Sequence, residues 1–343
     1  MSNTLHKRIV IPFALLVLVI FLQYRITMVE KMPVKELLYL PNEKLLRHFT
    51  GGLDTVIADL LWIHCLLYVG AELKGDFQFE WLEKMLSAVV QLDPYFREVY
   101  RFGGVFLSSL RADSESALKL LHRGMYYRPE TWDLPYEAAM IYMLNLAEKP
   151  NSKKIAGIYL AMSASSGRAP KFIIDLAEKL NHEYDLLEVE RDMWLKLVNS
   201  EDQLLRDIAN RKLLLVEIKA ICRELNKRLE KYKLENEGRI PENLEELGLA
   251  KESIVDPLGG KFFITESGMV KNTSVLDELQ ERYMRIIENG IRVYKERYGV
   301  YPQTLEEMLE KRILTFLPEQ PYESREWVYN PTTGSISWRE KEK

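Results

Sequence analysis

The sequence has few of the residues that build disulfide frameworks and metal centres. Its 343 residues include two cysteines and five histidines, which excludes a disulfide framework and a cysteine-only zinc site. Acidic residues outnumber basic ones, at 51 against 47, whereas nucleic-acid-binding domains normally carry a basic excess. We therefore expect no nucleic-acid partner, no metal site and no other cofactor.

Motifs of the common catalytic chemistries are also missing. The chain contains no Gly-x-x-x-x-Gly-Lys-Ser/Thr, Gly-x-Ser-x-Gly, His-Glu-x-x-His or Cys-x-x-Cys. We predict that the protein is not an enzyme and has no catalytic residues, with a site assembled from scattered residues left as an alternative. General disorder is excluded in turn, because 47% of the residues are hydrophobic.

One long apolar run lies near the amino terminus. The residues from Ile9 to Leu22 are all apolar and follow a short basic tail. The run is shorter than a bilayer core, but it extends over residues 9–29 if Arg25 reaches the headgroups. We interpret it as an uncleaved signal anchor, with a cleaved signal peptide and a buried core helix as alternatives. The basic tail favours a single-pass inner-membrane protein whose bulk lies on the extracytoplasmic side.

A second apolar segment, from Gly52 to Leu73, has helical spacing. Its apolar residues recur at steps of three and four, which predicts one continuous apolar face. That face comprises Leu53, Val56, Ile57, Leu60, Leu61, His64, Tyr68 and Ala71. A lone histidine at this spacing is typical of a half-buried, hydrogen-bonded side chain.

Prolines punctuate the helical pattern that follows. Pro94, Pro129 and Pro170 each lie in a turn, and the first two are 35 residues apart. Small residues such as Gly124 lie where two helices must approach closely. Because two helices cannot bury their apolar faces alone, neighbouring pairs are expected to stack. A generic helical bundle with chance proline spacing is the alternative.

This pattern resembles the tetratricopeptide repeat, in two to three degenerate units over residues 79–200. The preceding segment, with Ala58-Asp59-Leu60-Leu61-Trp62, is similar to a helix of bacterial membrane-anchored repeat proteins. That resemblance implies a scaffold without assigned chemistry. The long amphipathic helix after the repeats, from Leu204 to Tyr232, is expected to cap the solenoid, with a coiled-coil dimer as the alternative.

The clearest internal signal is a duplication near the carboxyl terminus. Residues 232–263 repeat in residues 294–329, with Gly238 matching Gly299 at an offset of 61. Each copy predicts a long helix ended by glycine, a proline turn, a short helix and a hairpin. Helix N-caps are expected at Asn243 and Thr304.

This module resembles the carboxy-terminal part of type II secretion major pseudopilins. Gly299-Val300-Tyr301-Pro302 and Asp256-Pro257-Leu258-Gly259 carry the resemblance. No glycine precedes the apolar run, and Phe13 stands where a pilin has glutamate, so processing as a pilin is not expected.

These observations predict a mainly α protein. It would consist of an amino-terminal transmembrane helix, a tetratricopeptide-like α-solenoid and small duplicated α+β modules. The predicted divisions are 1–30 for the tail and anchor, 31–203 for the repeats, 204–273 for the first module and 274–343 for the second.

We predict a membrane-anchored scaffold for protein–protein interaction in envelope, secretion or pilus-type assembly. The alternative is a structural subunit of an envelope machine that acts through the pseudopilin-like modules. The partners would be proteins and, through residues 9–29, the lipid bilayer. The candidate partner-binding residues are Arg101, Arg128, Trp132, Tyr136 and Tyr142.

Overall fold

The computed structural model describes residues 18–20, 50–183, 186–248 and 255–341. The described chain is mainly helical, with two small antiparallel hairpins near the carboxyl terminus, as the sequence predicts. Most of the predicted anchor lies outside the described residues, and its part at 18–20 is helical and exposed. The chain divides into two compact units, residues 1–88 and 89–343.

The first unit contains helix α1 (Asp54–Glu72) and the start of helix α2 (Leu82–Leu92). The expected half-burial of His64, on the predicted apolar face of α1, is wrong. The buried residues are Ala58, Trp62, Cys65, Tyr68 and Val69, whereas most of the predicted face, His64 included, is exposed. The segment is apolar on two sides, so spacing alone selects either stripe.

The second unit begins with a series of helices that follow one another through short turns. They are α3 (Arg97–Val105), α4 (Ser114–Tyr127), α5 (Asp133–Met140), α6 (Ser152–Ala164), α7 (Lys171–Glu183) and α8 (Leu187–Leu195). Helix α3 packs on α4 and on α5, and α5 packs on α6. Neighbouring antiparallel pairs thus cover one another's apolar faces.

Two wide helical turns repeat within this series. Helix α3 continues into a π-helical turn at Phe106–Leu110, and α5 continues into another at Ile141–Asn145, 35 residues later. The Asn145 amide donates a hydrogen bond of 3.0 Å to the Ser108 carbonyl and so joins the two turns. The interval between the two turns equals the 35 residues that separate Pro94 from Pro129.

Glycine permits the close packing of the first helices. A Cβ atom on Gly124 of α4 would lie 2.7 Å from the Tyr100 ring and 2.9 Å from Leu134. These residues belong to α3 and α5, so α4 meets two neighbours at this position. A larger residue would force the helices apart.

Helix α9 (Gln203–Glu235) packs on α8 and α4 and then leads into the first terminal module. That module continues with a 3₁₀ turn (Leu244–Leu247) and a hairpin of β1 (Phe262–Ile264) and β2 (Val270–Asn272). Its core joins Leu225 and Leu229 of α9 to Val270. The Asn226 amide group fastens β2 to α9 through both the amide and the carbonyl of Val270.

The second module begins with helix α10 (Thr273–Tyr298), which follows β2 directly. A short helix α11 (Glu307–Glu310) and a hairpin of β3 (Arg325–Asn330) and β4 (Ser335–Glu340) complete it. The core comprises Ile286, Ile287, Ile291, Tyr294, Leu305, Met308, Ile313, Leu314 and Ile336.

The duplication is visible in equivalent side-chain contacts. The Tyr232 hydroxyl donates to Glu246 over 2.7 Å, and the Tyr294 hydroxyl donates to Glu307 over 2.9 Å. Backbone φ is positive at Gly299 (78°), the C-cap of α10, and at Gly238 (87°), three residues after α9 ends.

The predicted N-caps have different outcomes. Asn243 accepts hydrogen bonds from the amides of residues 245 and 246 and is confirmed as a cap. Thr304 is not a cap, because α11 starts at Glu307 with Glu306 in the cap position and no capping side chain.

The second module is fastened to the helical series by polar contacts. The amide of Thr315 donates to the Gly167 carbonyl over 2.7 Å, and the Thr315 hydroxyl donates to the same atom over 2.9 Å. The Arg282 guanidinium donates to the Met162 carbonyl and the Ser165 hydroxyl, at 2.9 and 2.7 Å. Chain segments more than a hundred residues apart are thereby joined.

Candidate protein-binding surface

A row of three aromatic rings crosses from α5 to α7. Trp132 and Tyr136 lie one helical turn apart, with ring centroids separated by 5.9 Å. Phe172, in the first turn of α7, lies edge-on to Tyr136 at 6.4 Å. Its side chain is 58% exposed, whereas the other two are half-buried. We call Trp132, Tyr136 and Phe172 the aromatic row.

The row rests on a rigid support. The Ser163 hydroxyl, on the fully buried side of α6, donates a hydrogen bond of 2.6 Å to the carbonyl of Trp132. Trp132 precedes the first residue of α5, so this bond fixes the start of that helix. The rings are therefore presented by helices and not by a loop.

A ladder of charges joins α3 to α5. The Arg97 guanidinium binds the buried carboxylate of Asp133 through two nitrogens, one of them Nε at 3.3 Å. One turn further, Arg101 Nε lies 3.7 Å from Asp133 and 3.9 Å from Glu137. Burial raises the pKa of Glu137 and Asp133 adds to the effect, while Arg101 opposes it.

Arg101 keeps part of its guanidinium in water. Its side chain is 43% exposed, compared with 31% for Arg97 and 2% for Asp133. It is therefore the more accessible of the two arginines for a partner's carboxylate. The sequence predicts Arg101 but misses Arg97. The Asp133 carboxylate accepts from Arg97, and no side chain caps α5.

Arg128 uses two of its guanidinium nitrogens within the protein. Its Nε bonds Glu130 at 2.7 Å, and Nη1 donates to the Tyr95 carbonyl at 3.0 Å. These contacts tie the turn before α5 to the turn before α3. Tyr95 and Tyr126 beside it are mostly exposed and form a second, separate group of rings with Tyr127.

Tyr142 lies in another cluster. Its ring stacks on the buried ring of Tyr159 at 5.8 Å, and the Tyr159 hydroxyl lies 2.6 Å from His122 Nε2. Burial raises the pKa of Tyr142 and lowers that of His122 to about 4. The structure thus brings Trp132, Tyr136 and Arg101 together at the contact of α3 with α5. Tyr142 lies apart from them.

Phe172 is the residue of the row that sequence reasoning missed. It stands two positions after Pro170, and an aromatic residue in the first turn after such a proline is a usable signal. The three-residue row depends on the packing of α7 against α6, which periodicity does not reveal.

No protein-family model matches this chain, and no curated protein or solved structure matches it. Within the described ranges, no three His, Cys, Asp or Glu side chains are grouped as a metal site. Helix α1 has the length and composition of a membrane-crossing helix, with 19 residues and a mean hydropathy of 1.4. Core helices of soluble proteins can share these properties.

Proposed function

We propose that the protein is a membrane-anchored helical-repeat scaffold that binds a protein partner through the aromatic row. The observation that carries this proposal is the exposed ring of Phe172, held beside Tyr136 and Trp132 on two helices. Aromatic side chains and arginine dominate the energetics of protein interfaces. Arg101 and Glu137 supply complementary charge next to the rings.

The anchor gives the scaffold its place of action. Residues 9–29 would hold the protein at the inner membrane, with the bulk on the extracytoplasmic side. Confinement to a bilayer surface raises the effective concentration near membrane-bound partners. Envelope, secretion or pilus-type assembly is the class of process that such a scaffold would serve.

Site-specific photocrosslinking tests the binding surface. A photoreactive phenylalanine analogue at position 172 is expected to capture one reproducible protein in native membranes. The same analogue at Leu234, which is 86% exposed on α9, is the control and is expected to capture none. Equal capture at both positions would contradict the proposal.

A substitution tests whether the row supplies binding energy. Tyr136→Ala combined with Phe172→Ala is expected to weaken capture through a crosslinker at Arg101 by at least tenfold, as for an interface hot spot. Circular dichroism of the purified variant checks that the helices persist. Unchanged capture by a folded variant would assign the rings to stability alone.

Topology is tested by labelling a single cysteine in a Cys65→Ala, Cys222→Ala background. Ser337→Cys, at an exposed site on β4, is expected to react with a membrane-impermeant maleimide in intact spheroplasts. If α1 also crosses the membrane, the terminal modules lie in the cytoplasm and the label requires lysis.

A second candidate function is a structural role of the terminal modules in an envelope machine. The observation that favours it is Trp338 on β4, which is 39% exposed and stacks on Arg325 at 3.8 Å. Capture from position 338 with none from position 172 would replace the first proposal by this one.

A further inference from the structure

Helix α1 carries a second apolar stripe, on the side away from its buried face. The stripe has five side chains, each between 51% and 67% exposed: Leu53, Val56, Leu60, Ile63 and Leu67. The steps between them are three, four, three and four, which is the a/d spacing of a coiled-coil seam. We call these five residues the α1 seam.

Two polar residues flank the α1 seam. In the heptad numbering set by the seam, Asp59 occupies a g position and His64 the following e position. Both are exposed, and neither has a hydrogen bond or ion pair with another residue in the described part of the chain. In parallel coiled coils a g residue pairs with the e residue five positions later on the neighbouring helix. Asp59 of one copy would thus face the partner's His64.

The α1 seam fits a protein helix better than a bilayer. From Leu53 to Leu67 it extends about 21 Å at 1.5 Å per residue, less than the roughly 30 Å of a hydrocarbon core. Asp59 beside it would be costly in lipid. The opposite face, with Ala58 and Cys65, is buried in the protein, so lipid cannot surround the helix.

We propose that α1 joins copies of this chain into a parallel helical bundle through the α1 seam. Leucine at the a positions with valine and isoleucine at the d positions favours three or four helices over two. The seam lies opposite the buried face, so each copy keeps its own core. An antiparallel arrangement would face g to g and e to e and would leave Asp59 without its histidine.

Disulfide trapping tests the interface and its direction. In a Cys65→Ala, Cys222→Ala background, Val56→Cys is expected to form disulfide-linked pairs of chains in native membranes under mild oxidation. The control is Thr55→Cys, an exposed neighbour one position off the seam, which is expected to stay unlinked. Equal linking, or none at either position, would overturn the proposal and leave another occupant for the seam.

The copy number is measured by light scattering on the full-length protein in mild detergent. The expected mass is that of three or four chains, and Leu60→Glu is expected to reduce it to one. Leu234→Glu changes an exposed leucine elsewhere and is expected to leave the assembly intact. A single-chain mass for the unaltered protein overturns the proposal.

A charge exchange tests the flanking pair. Asp59→Lys places a cationic side chain opposite the partner's His64, which removes the attraction between the two positions. Association is expected to weaken by about twofold to fivefold per pair. Adding His64→Glu restores opposite charges and is expected to recover the assembly. A double variant as weak as the single one would contradict the parallel pairing.

Discussion

The helical series of residues 97–195 and the first terminal module hold their buried polar groups differently. In the helical series, His122 and Trp194 each keep a ring nitrogen without a partner among the described residues. In the first module, the Asp256 carboxylate accepts from the Leu258 amide, the Asn272 amide group and the Ser274 hydroxyl. Within the described part of the chain, the helical series thus buries polar atoms without hydrogen-bond partners, whereas the first module surrounds its buried Asp256 carboxylate with donors. Acid and substitution should therefore affect the two regions differently.

The largest expected effect is a loss of stability at low pH that arises in the helical series. Burial lowers the pKa of His122 to about 4, from the ordinary 6.5 of an unfolded chain. The unfolded state therefore binds the proton first as the pH falls. The free energy of unfolding is expected to drop by about 3 kcal/mol between pH 6.5 and 4, a loss that urea unfolding at several pH values measures.

His122→Gln removes that titration. In this variant the free energy of unfolding should not show the predicted fall between pH 6.5 and 4, whatever its value at pH 7. Leu234→Gln replaces an exposed side chain that does not titrate and is the control, and its profile should keep the slope. An unaltered slope in His122→Gln would mean that another group governs the acid response.

A smaller effect is expected from Asp256→Asn, which attacks the organising group of the first module. Burial raises the pKa of Asp256, but hydrogen bonds from Ser274, Asn272 and two backbone amides outweigh it, so the pKa is lowered. The ionised form is therefore the one that stabilises the fold, and this contribution is lost as the pH falls below about 4. At pH 7 the substitution should cost about 2–3 kcal/mol in the free energy of unfolding.

Asp192→Asn on α8 provides the matched control, since that carboxylate is exposed. Urea unfolding should place it within about 0.5 kcal/mol of the unaltered chain. Comparable losses for Asp192→Asn and Asp256→Asn would show that the network around Asp256 contributes nothing specific.

A third prediction compares the two module copies with each other. Gly238→Ala and Gly299→Ala each place a Cβ on a left-handed residue, although nothing lies within 4 Å of either added atom. Each should lower the free energy of unfolding by about 1–2 kcal/mol, and the two values should agree. At both sites the left-handed backbone conformation is the obstacle to the added Cβ. Unequal values from thermal unfolding would mean that the copies have diverged in their helix stops.

The smallest effect is expected from the repeated tyrosine–glutamate contact. The hydrogen bond to Glu307, followed by burial, raises the pKa of Tyr294, and the bond to Glu246 does the same for Tyr232. Tyr232→Phe and Tyr294→Phe should each lower the urea midpoint slightly and by similar amounts. A loss confined to one of them would show that the pair matters in one copy alone.

Local patterns in the sequence predict much of the backbone but less of the surface. The proline turns, the glycine stops and both hairpins are short-range features, so neighbouring residues suffice to predict them. The π turns at 106–110 and 141–145 were not predicted, since a single extra residue in a helical turn leaves no compositional mark.

The candidate surface is less predictable because it depends on contacts between helices. Trp132 and Tyr136 share a helix and were predicted together, while Phe172 joins them only through the packing of α7. Tyr142 follows Tyr136 by six residues, yet it points to the cluster around Tyr159. The same ambiguity applies to α1, where spacing alone does not tell which of two apolar stripes is buried.

The bond between the Gly167 carbonyl and Thr315 has a consequence for synthesis of the chain. Helical repeats usually contact only their neighbours and can fold progressively as the chain emerges. Here the loop between α6 and α7 forms its hydrogen bonds with Thr315, which lies 148 residues downstream of Gly167. Closure of that long loop is entropically slow, so the last part of the chain to emerge completes a region made much earlier.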